Sequence, residues 1–310
     1  MLDNASKAFF HLLSRSGTLK NLASRYGMRR PNSFASRFIA GETVAEAIEA
    51  ARTVEARGLT QTLDFLGEGV TTLEEAQAAS RDYLRVIDAI IPSGIGRNLS
   101  LKLTQLGLGV DRAVATDNLR RILDHADGFF VRIDMESSAF TASTLQVFET
   151  VWDQGYRNVG VVLQSELRRT AADAERMITL GARVRLVKGA YREPASVAFQ
   201  KKAEVDANYV QLLERLLAAS HYPAIATHDV TIIAHAKRFA AQRGIAKDAF
   251  EFQMLYGIRR DLQAQLVAEG YGVRVYIPFG RQWFPYFMRR LGERPANIGF
   301  VLRGVARDRG

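Results

Sequence analysis

From Thr60 onward the chain repeats one pattern eight times: a short apolar run, a helical stretch that often closes at a glycine, then the next apolar run. The runs are Thr60 to Leu66, Leu99 to Leu103, Phe129 to Met135, Asn158 to Gln164, Arg183 to Lys188, Ala224 to Thr227, Phe250 to Leu255 and Gly272 to Pro278. Helical periodicity lies between them, as in Leu73 to Ile90 behind a Thr72/Glu75 capping box, Thr144 to Trp152, Glu166 to Leu180, Val197 to Ala219, Thr231 to Gln242 and Asp261 to Ala268. A parallel sheet has both faces covered, which accounts for runs that are nearly continuous in hydrophobicity. Eight alternations over about 250 residues predict an α/β fold, a (β/α)8 barrel of the TIM type. A doubly wound open sheet is the structural alternative.

Residues 1 to 58 carry helical patterns without strands: Phe9, Phe10, Leu12 and Leu13 in one segment, Phe34 and Phe38 in another, and Thr43 to Ala56 in a third. Thr43 and Glu46 have capping-box spacing and Gly58 stands where a helix stops. The expected organisation is an N-terminal helical arm over 1–58, packed on a barrel over 59–310. Lys7, Arg15 and Lys20 among the aromatics of the first segment would also suit a membrane surface.

The absence of cysteine excludes disulfides, thiolate metal sites and cysteine nucleophiles. Lys and Arg number 42 against 33 Asp and Glu, a net charge of +9, which suits an anionic substrate, an anionic membrane or nucleic acid. The charges are dispersed, with no zinc-finger spacing, RNA-recognition signature or long basic run, so nucleic acid is not an expected partner. No apolar run reaches the ~20 residues that span a bilayer, and the first residues lack a signal-peptide pattern. A cytoplasmic location is expected.

A barrel places its active site at the C-terminal ends of its strands, so the residues that end the runs matter most. Lys102 and Thr104 end the second, Asp134 and Glu136 the third, Gln164 the fourth, Arg185 and Lys188 the fifth, Thr227, His228 and Asp229 the sixth, Gln253 the seventh and Tyr276 the eighth. Lys102, Asp134 and Arg185 are ionisable groups within apolar runs, where an unpaired charge costs several kcal/mol, so each needs a partner. Either an ion-pair network fills the barrel or these residues line a polar pocket; three of them, with the arginine pair described next, favour the pocket.

After the eighth run an aromatic helical segment carries Arg289, Arg290 and Glu293. Glu293 lies three residues after Arg290 and four after Arg289, so one carboxylate can hold both guanidinium groups. Two forks beside Tyr276 and Trp283 form a socket for a small acid, whereas a solvated helix face would not be flanked by so many aromatics. No P-loop or Gly-x-Ser-x-Gly elbow is present, and Gly94-Ile-Gly96 precedes a strand, so a Rossmann fingerprint fails. His228 with Asp134 and Glu136 suggests a divalent-metal set, the basis of one alternative, a metal-dependent barrel lyase. A second alternative is a basic module whose arginine helix docks on an acidic surface.

Several segments resemble the proline dehydrogenase family in order: Ser100-Leu-Lys102-Leu, Arg183-Val-Arg185-Leu-Val-Lys188-Gly-Ala-Tyr191, Ala226-Thr-His228-Asp, Phe250-Glu-Phe-Gln-Met-Leu255-Tyr-Gly257, and Tyr276 through Arg289-Arg290 to Asn297. The chain is most similar to the monofunctional bacterial members, since no aldehyde dehydrogenase domain follows Gly310. It departs from many members at Arg192, where they have Trp, and at Asp229, where they have Asn.

The resemblance implies a distorted barrel that holds FAD and oxidises L-proline to Δ1-pyrroline-5-carboxylate by hydride transfer to flavin N5. That is the first step of proline catabolism to glutamate, with electrons passed to quinone. It further implies that Arg289 and Arg290 clamp the substrate carboxylate, Glu293 orients them, Tyr276 and Leu255 pack on the ring, and Lys102 completes the substrate side. Asp134 becomes an active-site carboxylate and Arg185 the cation near flavin N5. Met135 and Gln164 would contact the flavin. Lys188, Gly189, Ala190 and Tyr191 would hold its phosphates or ribityl chain, with Thr227, His228 and Gln253 in the same groove. Tyr276 argues for proline over hydroxyproline. A separate pyrroline-5-carboxylate dehydrogenase is an implied partner, and reaching quinone invites peripheral contact with the inner face of the cell membrane.

Overall fold

The computed structural model describes residues 35–67 and 69–292, apart from the side chains of 289–292. A short 3-10 turn at Ala35–Arg37 leads into helix α1 (Val44–Glu55). Strand and helix then alternate: β1 (Thr60–Phe65), α2 (Leu73–Ile90), β2 (Asn98–Leu101), α3 (Arg112–His125), β3 (Phe130–Ile133), α4 (Ser138–Asp153), β4 (Val159–Gln164), α5 (Thr170–Leu180), β5 (Arg183–Val187), α6 (Lys202–Ala219), β6 (Ala224–Ala226), α7 (Val230–Gln242), β7 (Glu251–Leu255), α8 (Arg260–Ala268), β8 (Gly272–Phe279) and α9 (Trp283–Gly292). All eight strands pair in parallel and in chain order, and β1 closes on β8 in register from Thr60↔Arg274 to Phe65↔Phe279. This closure is the TIM-type barrel, and the open-sheet alternative falls with it.

Each expected run coincides with its strand to within one or two residues at either end. Both expected capping boxes form: Thr43 and Thr72 each accept from the backbone N–H three residues on, and Glu46 and Glu75 reach back. The sequence reading did not single out α3, whose charged surface masks a narrow stripe of buried Ala115, Leu119, Ile122 and Leu123 behind an Asp111 cap. Of the expected arm, residues 1–34 lie outside the described residues. Helix α1 packs on β1 and β8 and shares their core through Ala47, Ile48, Ala51 and Val54.

The strands differ from the expectation of continuous hydrophobicity in one respect that governs everything else. Successive side chains on a strand point to opposite faces. One set, including Leu63, Leu99, Val131, Val161, Leu186, Ile225, Phe252 and Val273, is fully buried in the core shared with the helices. The other set faces the barrel interior and carries many polar groups among a few apolar ones: Thr62, Asp64, Ser100, Arg132, Arg183, Arg185, Glu251, Gln253, Arg274 and Tyr276. Most barrels fill this space with branched aliphatic residues. Here it holds charge, which is tolerable only if paired and hydrogen-bonded.

The pairing falls into layers. In the lower layer Arg274 Nε donates to both oxygens of Glu251 at 2.9 and 3.1 Å, and its Nη1 donates to the Gln61 carbonyl at 2.7 Å. Arg132, almost wholly buried, donates to the carbonyls of Val161 and Arg183 and stacks on Phe130. Gly160 makes room for it, since a Cβ there would lie 2.9 Å from its Nη1 and 2.5 Å from the Arg183 carbonyl. Burial raises the Glu251 carboxyl, yet Arg274, Gln253 and Arg132 overcome that and hold it below its ordinary 4.5.

Replacing Glu251 with Gln strands Arg274 beside Arg132 and is expected to lower stability by about 3 kcal/mol, measured by urea unfolding near neutral pH. A carboxyl depressed by folding stabilises above its unfolded pKa and loses that contribution as pH falls through the folded value. The loss of stability below about pH 4.5 should therefore be shallower in Glu251→Gln than in the parent.

Candidate functional site

The upper layer of the interior opens at the C-terminal mouth. Asp64, near the end of β1, is fully buried and accepts from Lys102 Nζ, just past β2, at 3.0 and 3.2 Å. Asp134, just past β3, accepts from Arg185 Nη1 at 2.7 Å and from the Tyr276 hydroxyl at 2.7 Å, one on each oxygen. Arg185 also donates to Ser100 Oγ at 3.0 Å, and its guanidinium lies 5.3 Å from the Tyr276 ring centre. Strands β2, β3, β5 and β8 thus meet in one hydrogen-bonded set, and the sequence-predicted Lys102, Asp134, Arg185 and Tyr276 are all at this mouth.

Burial, then the carboxylates of Asp134 and Asp64, push the Tyr276 hydroxyl well above its ordinary 10.0, so it stays a neutral donor. Burial also raises Asp64, against the attraction of Lys102, while the nearby Asp134 adds to the rise. Asp64 escaped the sequence reading. Its signal was available: a carboxylate at an alternating position of an apolar run, one strand away from Lys102.

Around this centre stand the residues expected to hold a cofactor. Gln164, at the end of β4, is buried and donates through Nε2 to the Glu136 carbonyl, leaving Oε1 without a hydrogen-bond partner. Gln253 Oε1 and Arg185 Nε are buried and unpartnered in the same way. Buried polar atoms without partners are costly in a finished interior and are the groups that a polar ring system would satisfy. Gly189 follows β5 at φ +119, and a Cβ there would fall 2.0 Å from the Glu166 carboxyl carbon, so only glycine fits. Ala190 is exposed and Tyr191 half-buried beside it, and Met135 is buried after β3. These features fit an aromatic cofactor lying over the mouth.

On the sixth strand, Thr227 Oγ1 accepts from the Asp229 N–H, Asp229 caps α7, and His228 Nε2 accepts from the Leu255 N–H at 3.0 Å. Leu255 pairs in turn with Tyr276 across β7 and β8. Lys188 Nζ is ion-paired with Asp206 at 2.6 Å and Asp229 at 3.0 Å. The departure at Asp229 therefore shares out the positive charge of Lys188. His228, Asp134 and Glu136 have separate partners, Glu136 being held by the Thr104 N–H and hydroxyl. Among the described residues no three His, Asp or Glu converge as metal ligands.

Helix α9 packs through Trp283, Phe284, Phe287 and Met288 on Phe38, Ile39 and Leu66 near the same end of the barrel, and Trp283 Nε1 donates to Glu42 at 3.1 Å. Arg289 and Arg290 belong to its last turns. Their side chains, and Glu293 entirely, lie outside the described residues.

A family profile described as "Proline dehydrogenase" matches residues 47–303. The chain is 45% identical over 279 residues to "Proline dehydrogenase" of Deinococcus radiodurans, covering 88% of this chain and 90% of that one. It is 40% identical over 304 residues to "Proline dehydrogenase 2" of Bacillus subtilis, covering 97% and 99%. The solved structure of proline utilization A from Bdellovibrio bacteriovorus inactivated by N-propargylglycine superposes with a TM-score of 0.77 at 29% identity, covering 83% of this chain and 32% of that one. The "Bifunctional protein PutA" of Escherichia coli is 29% identical, over 86% of this chain and 24% of its own length.

Replacing Asp64 with Leu should strand the Lys102 charge and cost about 3–5 kcal/mol of stability. Adding Lys102→Met removes the stranded charge, and urea unfolding of the double variant should recover most of the loss. Simple additivity of the two losses would show that the pair is not coupled.

Proposed function

The chain belongs to the proline dehydrogenase family and is an oxidoreductase acting on proline in proline catabolism, and from this we propose that it uses FAD and yields Δ1-pyrroline-5-carboxylate. The observation that carries the reading is the Asp134 node, which locks an aromatic hydroxyl and a guanidinium together at the catalytic mouth of the barrel. Bound FAD supplies the two-electron acceptor for the hydride that leaves C5 of the substrate, while the substrate nitrogen gives up its proton.

The residues do the positioning. Arg289 and Arg290 clamp the L-proline carboxylate, with Glu293 orienting the pair; a bidentate fork fixes both distance and angle. Tyr276 and Leu255 form the wall against the pyrrolidine ring, and their strand pairing keeps that wall rigid. A bulky tyrosine pinned by Asp134 at this wall, where a smaller polar residue would leave room for a ring hydroxyl, favours proline over hydroxyproline.

Lys102 and Arg185 bring cations to the mouth, each already paired with a carboxylate, beside an anionic substrate and the negative charge that an electron-accepting ring gains. Gln164, Gln253, Met135, Thr227 and His228 hold the ring system, and Lys188 with Gly189, Ala190 and Tyr191 holds the ribityl and phosphate portion. Rate enhancement comes from proximity and electrostatics, with no covalent nucleophile. Quinone is the proposed electron acceptor, reached by peripheral contact with the inner face of the cell membrane. No helix among the described residues is long and apolar enough to cross one. A separate pyrroline-5-carboxylate dehydrogenase is the proposed consumer of the product.

The purified protein should be yellow and should bleach anaerobically on addition of L-proline; a chain that cannot take up FAD would reject the cofactor. Arg289→Met and Arg290→Met should each raise the KM for proline about 30- to 1,000-fold, equivalent to about 2–4 kcal/mol, with bound flavin retained. Unchanged KM values in steady-state assays of both variants would exclude the clamp.

A further inference from the structure

The charged interior has a second opening. At the N-terminal ends of the strands, opposite the catalytic mouth, Thr60, Asn98, Phe130 and Arg183 border a cavity of about 890 Å³. In barrels of this type that end serves stability, and its residues are expected to satisfy one another. Here they do not.

Arg183 lies at the border with its guanidinium 4.3 Å from the Phe130 ring centre and 4.5 Å from that of Tyr222. Its side chain makes no hydrogen bond among the described residues, and its Nε is buried without a partner. Arg97, exposed and stacked on Phe129 at 5.7 Å, stands on the same wall.

Two further observations show that the arrangement is built. Tyr222 reaches Arg183 from a backbone at φ +45, a conformation that a bulky residue ahead of proline resists. Such strain persists only where the surroundings hold it, and often serves a bound partner. Secondly, the interior is unbalanced: the cations Lys102, Arg132, Arg183, Arg185 and Arg274 face the carboxylates of Asp64, Asp134 and Glu251, an excess of two positive charges among the described residues. The upper set is balanced, Lys102 and Arg185 against Asp64 and Asp134, so the excess lies in the lower set, where Arg132, Arg183 and Arg274 face Glu251 alone. Arg183 is at the lower end, and burial holds its guanidinium below the usual value, with Arg274 adding to the effect and Glu251 and Tyr222 opposing it. The acids on the cavity wall have other partners in two cases: Glu55 accepts from the Gly96 N–H and Gln61, and Asp124 accepts from the Tyr156 hydroxyl. Asp127 also lines it.

The geometry points to a second ligand site at the base of the barrel, taking a compact oxyanion, phosphate or carboxylate. The stacked, planar fork of Arg183 receives the oxyanion, and Arg97 adds charge from the rim. A stacked guanidinium is already immobilised, so little side-chain freedom remains to be lost on binding.

Isothermal titration calorimetry of the holoenzyme with inorganic phosphate and, separately, with L-malate, at fixed ionic strength, tests the site. One saturable site for either probe is expected; phosphate alone or malate alone identifies the source of the oxyanion. Arg183→Lys, which keeps charge but loses the fork, should weaken binding at least tenfold, and Arg97→Gln, at an exposed position, several-fold. The KM for proline should stay within twofold in both. Absence of saturable binding by both probes, or equal affinity in parent, Arg183→Lys and Arg97→Gln, would overturn the site.

Discussion

The fold rests on how charge is paired inside a closed cylinder of strands. A barrel of this size encloses little more space than its side chains fill, so few waters can solvate a charge placed inside it. Each charge placed inside must therefore meet an opposite charge or a hydrogen-bond partner at good geometry, or cost several kcal/mol. Asp64 with Lys102, Asp134 with Arg185 and Tyr276, and Glu251 with Arg274 meet that demand from strands far apart in sequence. The apolar set on the outer face of the strands supplies the burial that makes this possible.

Buried ion pairs seldom add net stability over a well-packed apolar core, so their presence calls for another account. At the C-terminal mouth the account is chemical. A cation that is already paired and packed does not reorganise when negative charge develops nearby, and preorganisation of that kind is the main source of electrostatic stabilisation in enzymes. The chain belongs to a family of oxidoreductases, and the Asp134 node lies at the end of the barrel where such folds place their chemistry. At the opposite end no such reaction exists, yet Arg183 is held between two rings with its hydrogen-bonding edge unused. The same logic of unsatisfied buried polar groups that fits a cofactor at one mouth fits an anion at the other.

Much of this was legible before the structure. The eight runs located the eight strands to within one or two residues, because hydrophobic periodicity and glycine stops are local signals. Lys102, Asp134, Arg185 and Tyr276 were identified as site residues from their position at run ends, and they do meet at one mouth. Asp64, Arg132, Glu251 and Arg274 were passed over, although they occupy the same alternate positions. The runs were read as continuous apolar stretches, and a period of two was hidden by the expectation that both faces of a parallel sheet are apolar. Helix α3 was missed for a related reason: its charged residues outnumber a stripe only one side chain wide.

The sequence by itself determined the number and order of the strands and the family, since these depend on residue type at fixed spacing along one chain. Only the tertiary structure decided which charges pair. Arg185 finds Ser100 across 85 residues and Asp134 finds Tyr276 across 142, distances over which no local rule operates. Strand closure and register bring such groups within 3 Å of each other, and the low-dielectric interior then converts that proximity into strong selection for one partner over all others.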